Sequence, residues 1–333
     1  MNEPQDCHPL TRILSRRSFL GSAVVAAGAP WLGSAAVRGS NDDKLVVPPG
    51  VNPSRVVAVH SPHIVDGARV HARRLREMLA RTLTKLTDTR AVEDAWRTIL
   101  KPDDVVCLKF NGSAQSLLGT TEPFAEALIE SLVAAGISPD RIVCVEAPPS
   151  VRAKYGTTDP VSGFASTATD FGSGSDELAS VLDQVTAIVS VPFLKTHNIA
   201  GMTCALKNLS HGLVKHPARY HANGCSPYIT DIVSLPHIRK KLRLCLVNAL
   251  RIIFDKGPEG SAETVSDEGM VFAAFDPVAA DAHGLTILNE VRRSRQLSPV
   301  AASARDIPYL RSAHLSGLGI AVPQGIQLIQ STL

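Results

Sequence analysis

The sequence predicts an α/β protein in which a mostly parallel sheet is sandwiched between helices. Three observations indicate this fold class. Short apolar runs alternate with segments whose apolar residues have helical spacing. The run DVVCLKF at 104–110 is almost continuously apolar, as expected for a strand covered on both faces. The path from this strand through one helix to RIVCVEA at 141–147 is typical of a parallel crossover unit.

The first half of the domain contains one more predicted strand and two predicted helices. RVVAVH at 55–60 predicts the first strand, and residues 68–86 have the apolar spacing of a helix with Arg on its other face. Residues 121–136 predict a second helix, with Thr121 as its cap, Pro123 in its first turn and Gly136 at its end. The Gly-, Ser- and Thr-rich residues 148–177 predict a long loop.

The second half continues the same alternation. TAIVSVPFLK, RLCLVNAL and GMVFAAFD predict three strands, and IQLIQ at 326–330 predicts a short last one. Residues 276–293 predict a helix capped by Asp276, with Pro277 at its first position. Asp281 falls in the first part of this helix, where an acidic side chain favours the helix dipole. A last helix is expected to end near SGLG at 316–319.

The N-terminus predicts export. Arg16 and Arg17 stand in SRRSFL, and an Ala- and Gly-rich apolar run follows, with the small residues Ser34-Ala35-Ala36 at its end. This arrangement resembles a twin-arginine signal peptide. We therefore predict a signal peptide over 1–39, a linker over 40–54 and a single α/β domain over 55–330.

This organisation predicts where the protein works and with what. The expected location is periplasmic or otherwise extracytoplasmic, and the twin-arginine export machinery is the expected partner. No segment after the signal is long and apolar enough to span a membrane. The formal net charge is only +3, with no basic stripe of the kind that nucleic-acid binding requires.

Several common chemistries lack their motifs. The six cysteines are not closely spaced, so neither a zinc ribbon nor an iron–sulfur cluster motif is present. The sequence also has no dinucleotide-binding glycine pattern after the first strand, no Walker loop, no nucleophile elbow and no zincin motif.

Polar residues follow several predicted strands, and these positions indicate a site. Asn111, Glu146, the segment 195–197, Asn248 and Asp276 all stand at or near strand ends. Ligands of open α/β sheets collect past the carboxyl ends of strands. If these ends are neighbours, they surround one pocket.

The segment from Val191 to His221 supplies most of the candidate residues. Lysines can hold an anion, asparagines can orient a ligand oxygen, and histidines can move protons or ligate a metal. A set of surface Lys and His on a polar loop is the competing interpretation. The predicted catalytic residues are His197 and Lys207, and the predicted substrate-binding residues are Lys195, Asn208, Asn111 and His221.

A metal is a separate possibility for the same segment. His211, His216 and His221 are five residues apart, so neighbouring pairs do not share a helical face. This spacing argues against a metal site preformed on one helix, and no metal ligand is assigned. A divalent metal ion bound by residues from separate loops is the cofactor that this spacing leaves open.

Particular motifs resemble the family called domain of unknown function 362. They are VPFLKTH, MTCALKNLSHGLV with the later His221, GPEG, AAFDPVAADAHG and SGLGI, and the resemblance covers most of residues 55–330. It implies an α/β fold with a shared pocket, and members of the family occur with twin-arginine leaders. Some members carry an iron–sulfur module, but the closely spaced cysteines are lacking here. Members often have an aspartate where Val247 and Asn248 stand, which puts carboxylate-dependent chemistry in doubt.

Two functional hypotheses follow. The first is an exported enzyme acting on a small anionic substrate in a pocket lined by Lys, His and Asn, with His197 as general acid or base. The alternative is a non-catalytic extracytoplasmic protein that binds a metal or another ligand.

Overall fold

A mostly parallel nine-stranded sheet with helices on both faces forms the centre of the protein, as the sequence predicts. The computed structural model describes residues 45–47 and 50–333. The predicted signal peptide with Arg16 and Arg17, and most of the predicted linker, lie outside the described residues.

The strands are β1 (Ser54–His60), β2 (Val65–Asp66), β3 (Arg69–Val70), β4 (Val106–Phe110), β5 (Ile142–Val145), β6 (Thr169–Asp170), β7 (Ser175–Asp176), β8 (Ala187–Val191), β9 (Phe193–His197), β10 (Gly201–Thr203), β11 (Leu242–Ile253), β12 (Val265–Ala274) and β13 (Ile326–Thr332). The α-helices are α1 (Ala72–Thr87), α2 (Val92–Ile99), α3 (Gln115–Leu118), α4 (Thr121–Ala134), α5 (Pro149–Tyr155), α6 (Val181–Gln184), α7 (Ala205–Ser210), α8 (Ala222–Cys225), α9 (Tyr228–Ser234), α10 (Pro236–Arg239), α11 (Pro277–Ser294) and α12 (Pro308–Leu315).

The sheet has the order β13-β1-β12-β11-β8-β4-β5, and β9 pairs with both β11 and β10. Neighbours are parallel except around β12, which runs against β1 and β11, and in the pair β9–β10. A hydrophobic core lies on each face of the sheet, and successive side chains of a strand point alternately into the two cores. Helices α1, α2 and α4 cover one face, and α7, α9, α11 and α12 cover the other.

The predicted strand at 186–195 is divided into β8 and β9 at Pro192. Proline cannot donate to the ladder, but its carbonyl oxygen accepts from the backbone N–H of Asn248 at 2.9 Å. The long strand β11 therefore pairs first with β8 and then with β9. This continuation places the polar part of β9 past the carboxyl end of β8.

Several local predictions needed adjustment. Helix α2 is absent from the prediction because only three of its eight residues are buried, which leaves a short apolar pattern. Thr121 is the first helical residue rather than the cap, which is Thr120. The predicted loop 148–177 contains α5 and the small β6–β7 hairpin. Asp276 caps α11 as predicted, accepting from the backbone N–H groups of Val278 and Ala279.

Candidate functional site

Strand β9 places Lys195 and His197 inside the protein. Lys195 is fully buried and His197 is 7% exposed. The Lys195 Nζ atom donates to Asn111 Oδ1 at 3.3 Å and to the carbonyl oxygen of Ser113 at 3.1 Å. Asn111 follows β4, so the segment after β4 and strand β9 meet at this ammonium group.

The surroundings of Lys195 disfavour its charge. Burial lowers its pKa to about 8, with the nearby Glu259 opposing this change and the charge of Lys207 adding to it. Thr203 lies directly opposite Lys195 in the β9–β10 ladder, and its buried Oγ1 has no hydrogen-bond partner among the described residues. Lys195 and Thr203 therefore present a cation and an unused hydroxyl on one face of this strand pair.

The ring of His197 is held in one tautomer. Its Nδ1 atom accepts from the backbone N–H groups of Ile199 and Ala200, both at 3.2 Å. The proton of the neutral ring therefore belongs on Nε2. Burial, followed by the charge of Lys207, lowers the pKa of His197 to about 3. At neutral pH this side chain is a neutral hydrogen-bond donor.

Helix α7 carries Lys207 and Asn208 and is anchored by a distant carboxylate. Asp281 Oδ1 accepts from the backbone N–H groups of Ala205 at 2.7 Å and Leu206 at 3.3 Å. Asp281, a residue of α11, thus supplies a hydrogen-bond acceptor for the N-terminus of α7. Burial nevertheless raises its pKa to about 7.

Lys207 is the centre of a group of three histidines. Its Nζ atom lies 3.3 Å from His221 Nε2, and burial lowers its pKa to about 8. The ring of His221 stacks on His197 at a centroid distance of 5.4 Å and meets His211 edge-on at 4.7 Å. Burial, with the charge of Lys207, also lowers the pKa of His211 to about 2. All three histidines are therefore neutral at neutral pH.

A third lysine, Lys109, lies behind these residues. It is 1% exposed and forms an ion pair with Glu146 at 3.1 Å. Asn208 accepts from Lys109 Nζ at 3.3 Å, and its amide donates to the Lys109 carbonyl oxygen and to Ser190 Oγ. The Asn208 side chain thus ties α7 to β4 and β8. Its prediction as a substrate contact stays a prediction.

The structure brings together all six predicted site residues, but not every polar residue at a strand end. Asp276 bonds Ser54 and the backbone N–H of Ile320. Because β12 is antiparallel to β11, its carboxyl end lies at the opposite edge of the sheet from the lysines. Asn248 instead bonds Thr120, with its Nδ2 atom 3.1 Å from Oγ1.

Three other polar or charged residues near the candidate segment lie outside the cluster of lysines and histidines. Asp255 pairs with Arg292 at 2.8 Å. His216 Nδ1 lies 2.9 Å from Asp176 Oδ1, at the hairpin that packs on this segment. Arg219 is exposed.

Sequence reasoning missed three contributors: Lys109, Thr203 and Cys225. Lys109 is the one charged residue inside the apolar strand β4, and that contrast was an available signal. Thr203 and Cys225 have no comparable signal, because their importance depends on which residues lie opposite them. His211, His221 and Cys225 each offer a ligand atom within 4.8 Å of the others, as do Asp176, Glu177 and His216.

The side chains of Lys195, His197 and Lys207 are buried. A surface depression of about 450 Å³ is lined by Arg251, Asp267 and Arg295 among others, and contains none of the predicted site residues.

Comparison with known proteins places the chain in a family. A sequence model of the family described as Domain of unknown function (DUF362) matches residues 106–286, which is just over half of the chain. The chain is a DUF362 protein. The matched region of this DUF362 protein runs from β4 into α11 and includes every predicted site residue.

Two solved structures are similar to this DUF362 protein at 11% sequence identity. The lactate racemase apoprotein from Thermoanaerobacterium thermosaccharolyticum matches over 72% of this chain and 58% of its own, with a TM-score of 0.43. A protein from Thermotoga maritima matches over 80% of this chain and 89% of its own, with a TM-score of 0.37. The DUF362 protein thus spans 58% of the racemase. No curated protein matches the chain.

Proposed function

We propose that this protein is an exported enzyme that acts on a small anionic substrate bound between Lys195 and Lys207. One observation carries the proposal: two buried ammonium groups have no carboxylate within ion-pair distance in the part of the chain that the structure describes. Among the described residues, neither forms an ion pair, whereas the neighbouring Lys109 is paired with Glu146. An unpaired buried charge is destabilising, and a carboxylate or phosphate ligand would compensate both lysines.

The surrounding groups favour an anion with additional acceptor oxygens. Thr203 offers an unused buried hydroxyl beside Lys195. The amide of Asn111 already contacts Lys195 through Oδ1, which leaves its Nδ2 donors for a ligand. In this proposal Lys195 and Asn111 bind and orient the substrate.

His197 and Lys207 take the catalytic positions. The N–H of His197 at Nε2 has no acceptor among the described residues, so it is available to a substrate oxygen. This donor and the nearby ammonium of Lys207 would stabilise negative charge that develops on the substrate. His221 contacts Lys207 and stacks on His197, so it orders both groups. The tautomer inferred from the two hydrogen bonds at Nδ1 favours a hydrogen-bond donor over a general base at His197.

Binding of simple anions tests the proposal. Inorganic sulfate and short carboxylates are titrated into the wild type and the Lys207→Ala variant, followed by calorimetry. We expect the variant to lose anion binding without a lower melting temperature, because Lys207 carries an uncompensated buried charge. Lys240→Ala removes an exposed lysine and serves as the matched control. Unchanged anion binding in Lys207→Ala would refute the proposed site.

Export is proposed from the sequence. Arg16 and Arg17 match the twin-arginine pattern, so the export machinery is the proposed partner and the periplasm or another extracytoplasmic space the proposed location. Within the described residues, no helix has both the length and the apolar character needed to cross a bilayer. Replacing both arginines by lysine should retain the full-length chain in the cytoplasm, as measured by cell fractionation. Continued export would contradict the assignment.

A non-catalytic binding protein is the second candidate. The group formed by His211, His221 and Cys225 favours it, because these are metal-ligand residue types in a partly buried setting. Chemical change of a bound anion, detected by mass spectrometry, would favour the enzyme. Stoichiometric binding without change would favour the binding protein.

A further inference from the structure

We infer that His211, His221 and Cys225 form a binding site for a divalent transition-metal ion of the zinc type. One ligand atom from each residue lies within 4.8 Å of the other two. Tetrahedral zinc with Zn–N near 2.0–2.1 Å and Zn–S near 2.3 Å requires separations of roughly 3.3–3.7 Å. Side-chain movements of about 1 Å are therefore sufficient to close the site.

An unsatisfied nitrogen points to a ligand independently of this spacing. His211 is only 9% exposed, and its Nε2 atom is buried without a hydrogen-bond partner among the described residues. Buried polar atoms are normally paired, so an unpaired one calls for a specific explanation. A metal ion bound at Nε2 supplies it.

The hydrogen bonds around His211 leave this nitrogen with a lone pair. Ser210 Oγ donates to the carbonyl oxygen of Leu206 at 3.0 Å. The Ser210 Oγ atom also lies 3.1 Å from His211 Nδ1, and with its own proton directed to Leu206 it is an acceptor for the Nδ1 proton. When Nδ1 donates to Ser210 Oγ, the neutral ring has its lone pair on Nε2. Such fixing of the outer ring nitrogen is typical of metal-ligating histidines.

His221 has a matching arrangement. Burial and the charge of Lys207 lower the pKa of His221, and the backbone of Ala218 and Pro217 opposes this shift, as carbonyl acceptors of a ring proton do. Its Nε2 atom faces Lys207 Nζ at 3.3 Å and accepts from it. A metal ion at His221 Nε2 would replace this contact, and the Lys207 ammonium would turn toward a bound anion.

Cys225 completes the set. It is fully buried and its sulfur is free rather than in a disulfide. Two nitrogens and one thiolate favour zinc and related borderline metals over magnesium or calcium, which prefer oxygen ligands. Three protein ligands leave a fourth position open, as in catalytic zinc sites. This inference concerns metal binding and does not depend on the identity of the anion.

Metal binding is tested on the full chain without a polyhistidine tag. The protein is treated with chelator under reducing conditions and titrated with Zn²⁺ by calorimetry. We expect one ion per chain, and about a 100-fold or greater loss of affinity in His211→Ala, His221→Ala and Cys225→Ser. His237→Ala and Cys144→Ser change an exposed histidine and a core cysteine away from the cluster, and should bind as the wild type does.

Cobalt spectroscopy keeps the test decisive if the buried Cys225→Ser variant fails to fold. Co²⁺ bound to wild type should give thiolate-to-cobalt charge-transfer absorption, and His221→Ala should require a higher cobalt concentration to reach it, because one ligand is lost. His221 is only half-buried, so its removal is better tolerated. Absence of this absorption in wild type, or zinc affinity unchanged by all three ligand substitutions, would overturn the inference.

The same experiments separate this inference from the proposed function. Lys207→Ala removes a positive charge beside His221, so it should bind zinc at least as tightly as wild type while losing sulfate binding. Sulfate binding without zinc binding would refute the metal site alone. Zinc binding with sulfate affinity unchanged in Lys207→Ala would refute the anion site alone.

Discussion

Replacing Lys195 by Met measures what the buried ammonium costs the fold. Lys195 is fully buried, and burial lowers its pKa to about 8 from the ordinary lysine value of 10.5. A change of one pH unit in pKa corresponds to about 1.36 kcal/mol. Keeping Lys195 charged therefore destabilises the folded protein by about 3 kcal/mol below pH 8. Methionine has similar length and no charge, so the variant should gain about 2–3 kcal/mol in free energy of unfolding at pH 7.

The pH dependence of this gain follows from the same numbers. Below pH 8 Lys195 is protonated in both the folded and the unfolded chain, so the full penalty applies. Between pH 8 and 10.5 the folded protein loses this proton before the unfolded chain does, and the penalty disappears. The stability difference between the variant and the wild type should therefore shrink to less than about 1 kcal/mol near pH 10.

Urea unfolding at pH 7 and pH 10 gives both free energies. Lys240→Met, at an exposed lysine, is the control and should change stability by less than about 0.5 kcal/mol at either pH. A Lys195→Met variant less stable than wild type at pH 7 would refute the reasoning. A stability gain of equal size at both pH values would also refute it.

Three further changes test other parts of the account. Asp281→Ala removes the acceptor for two backbone N–H groups of α7 and should lower the free energy of unfolding by about 3 kcal/mol. The control Asp267→Ala changes an exposed aspartate and should lower it by less than about 1 kcal/mol, so equal losses in urea unfolding would contradict the anchoring role. In Gly212→Ala the new Cβ would lie 2.6 Å from Lys109 Nζ, so we expect a loss of about 1–3 kcal/mol, and an unchanged melting temperature would count against the tight approach. Sulfate affinity should fall by up to about tenfold per pH unit above pH 8 as Lys195 loses its proton, and a flat calorimetric profile from pH 7 to pH 9 would contradict its role.

The sequence predicts the fold well because the pattern of apolar residues reflects burial directly. The run at 104–110 is apolar because β4 lies between two helical layers. Its assignment as a strand follows from this apolar run alone. Helix α2 escapes detection because it packs only Ala95, Trp96 and Ile99 into the core. The period of a short, mostly exposed helix is too weak to identify.

The candidate site is predicted only where a single strand determines it. Lys195 and His197 follow an apolar run on one chain segment, so their burial at the end of β9 can be anticipated. Asp276 was grouped with them wrongly, because the direction of β12 cannot be read from its own residues. The contact of Asp281 with α7 and the meeting of Cys225 with His211 join residues distant in sequence. Such contacts depend on how α7, α8 and α11 pack, which no local pattern determines.

The central claim is that Lys195 and Lys207 together bind one anion. Crystals soaked in bromide at pH 7 test it most directly, because anomalous scattering locates the ion without knowledge of the natural substrate. We predict a bromide site within contact distance of both Nζ atoms, which disappears in Lys195→Met crystals. Bromide bound only at surface residues, with both ammonium groups enclosed by protein atoms alone, would contradict the claim.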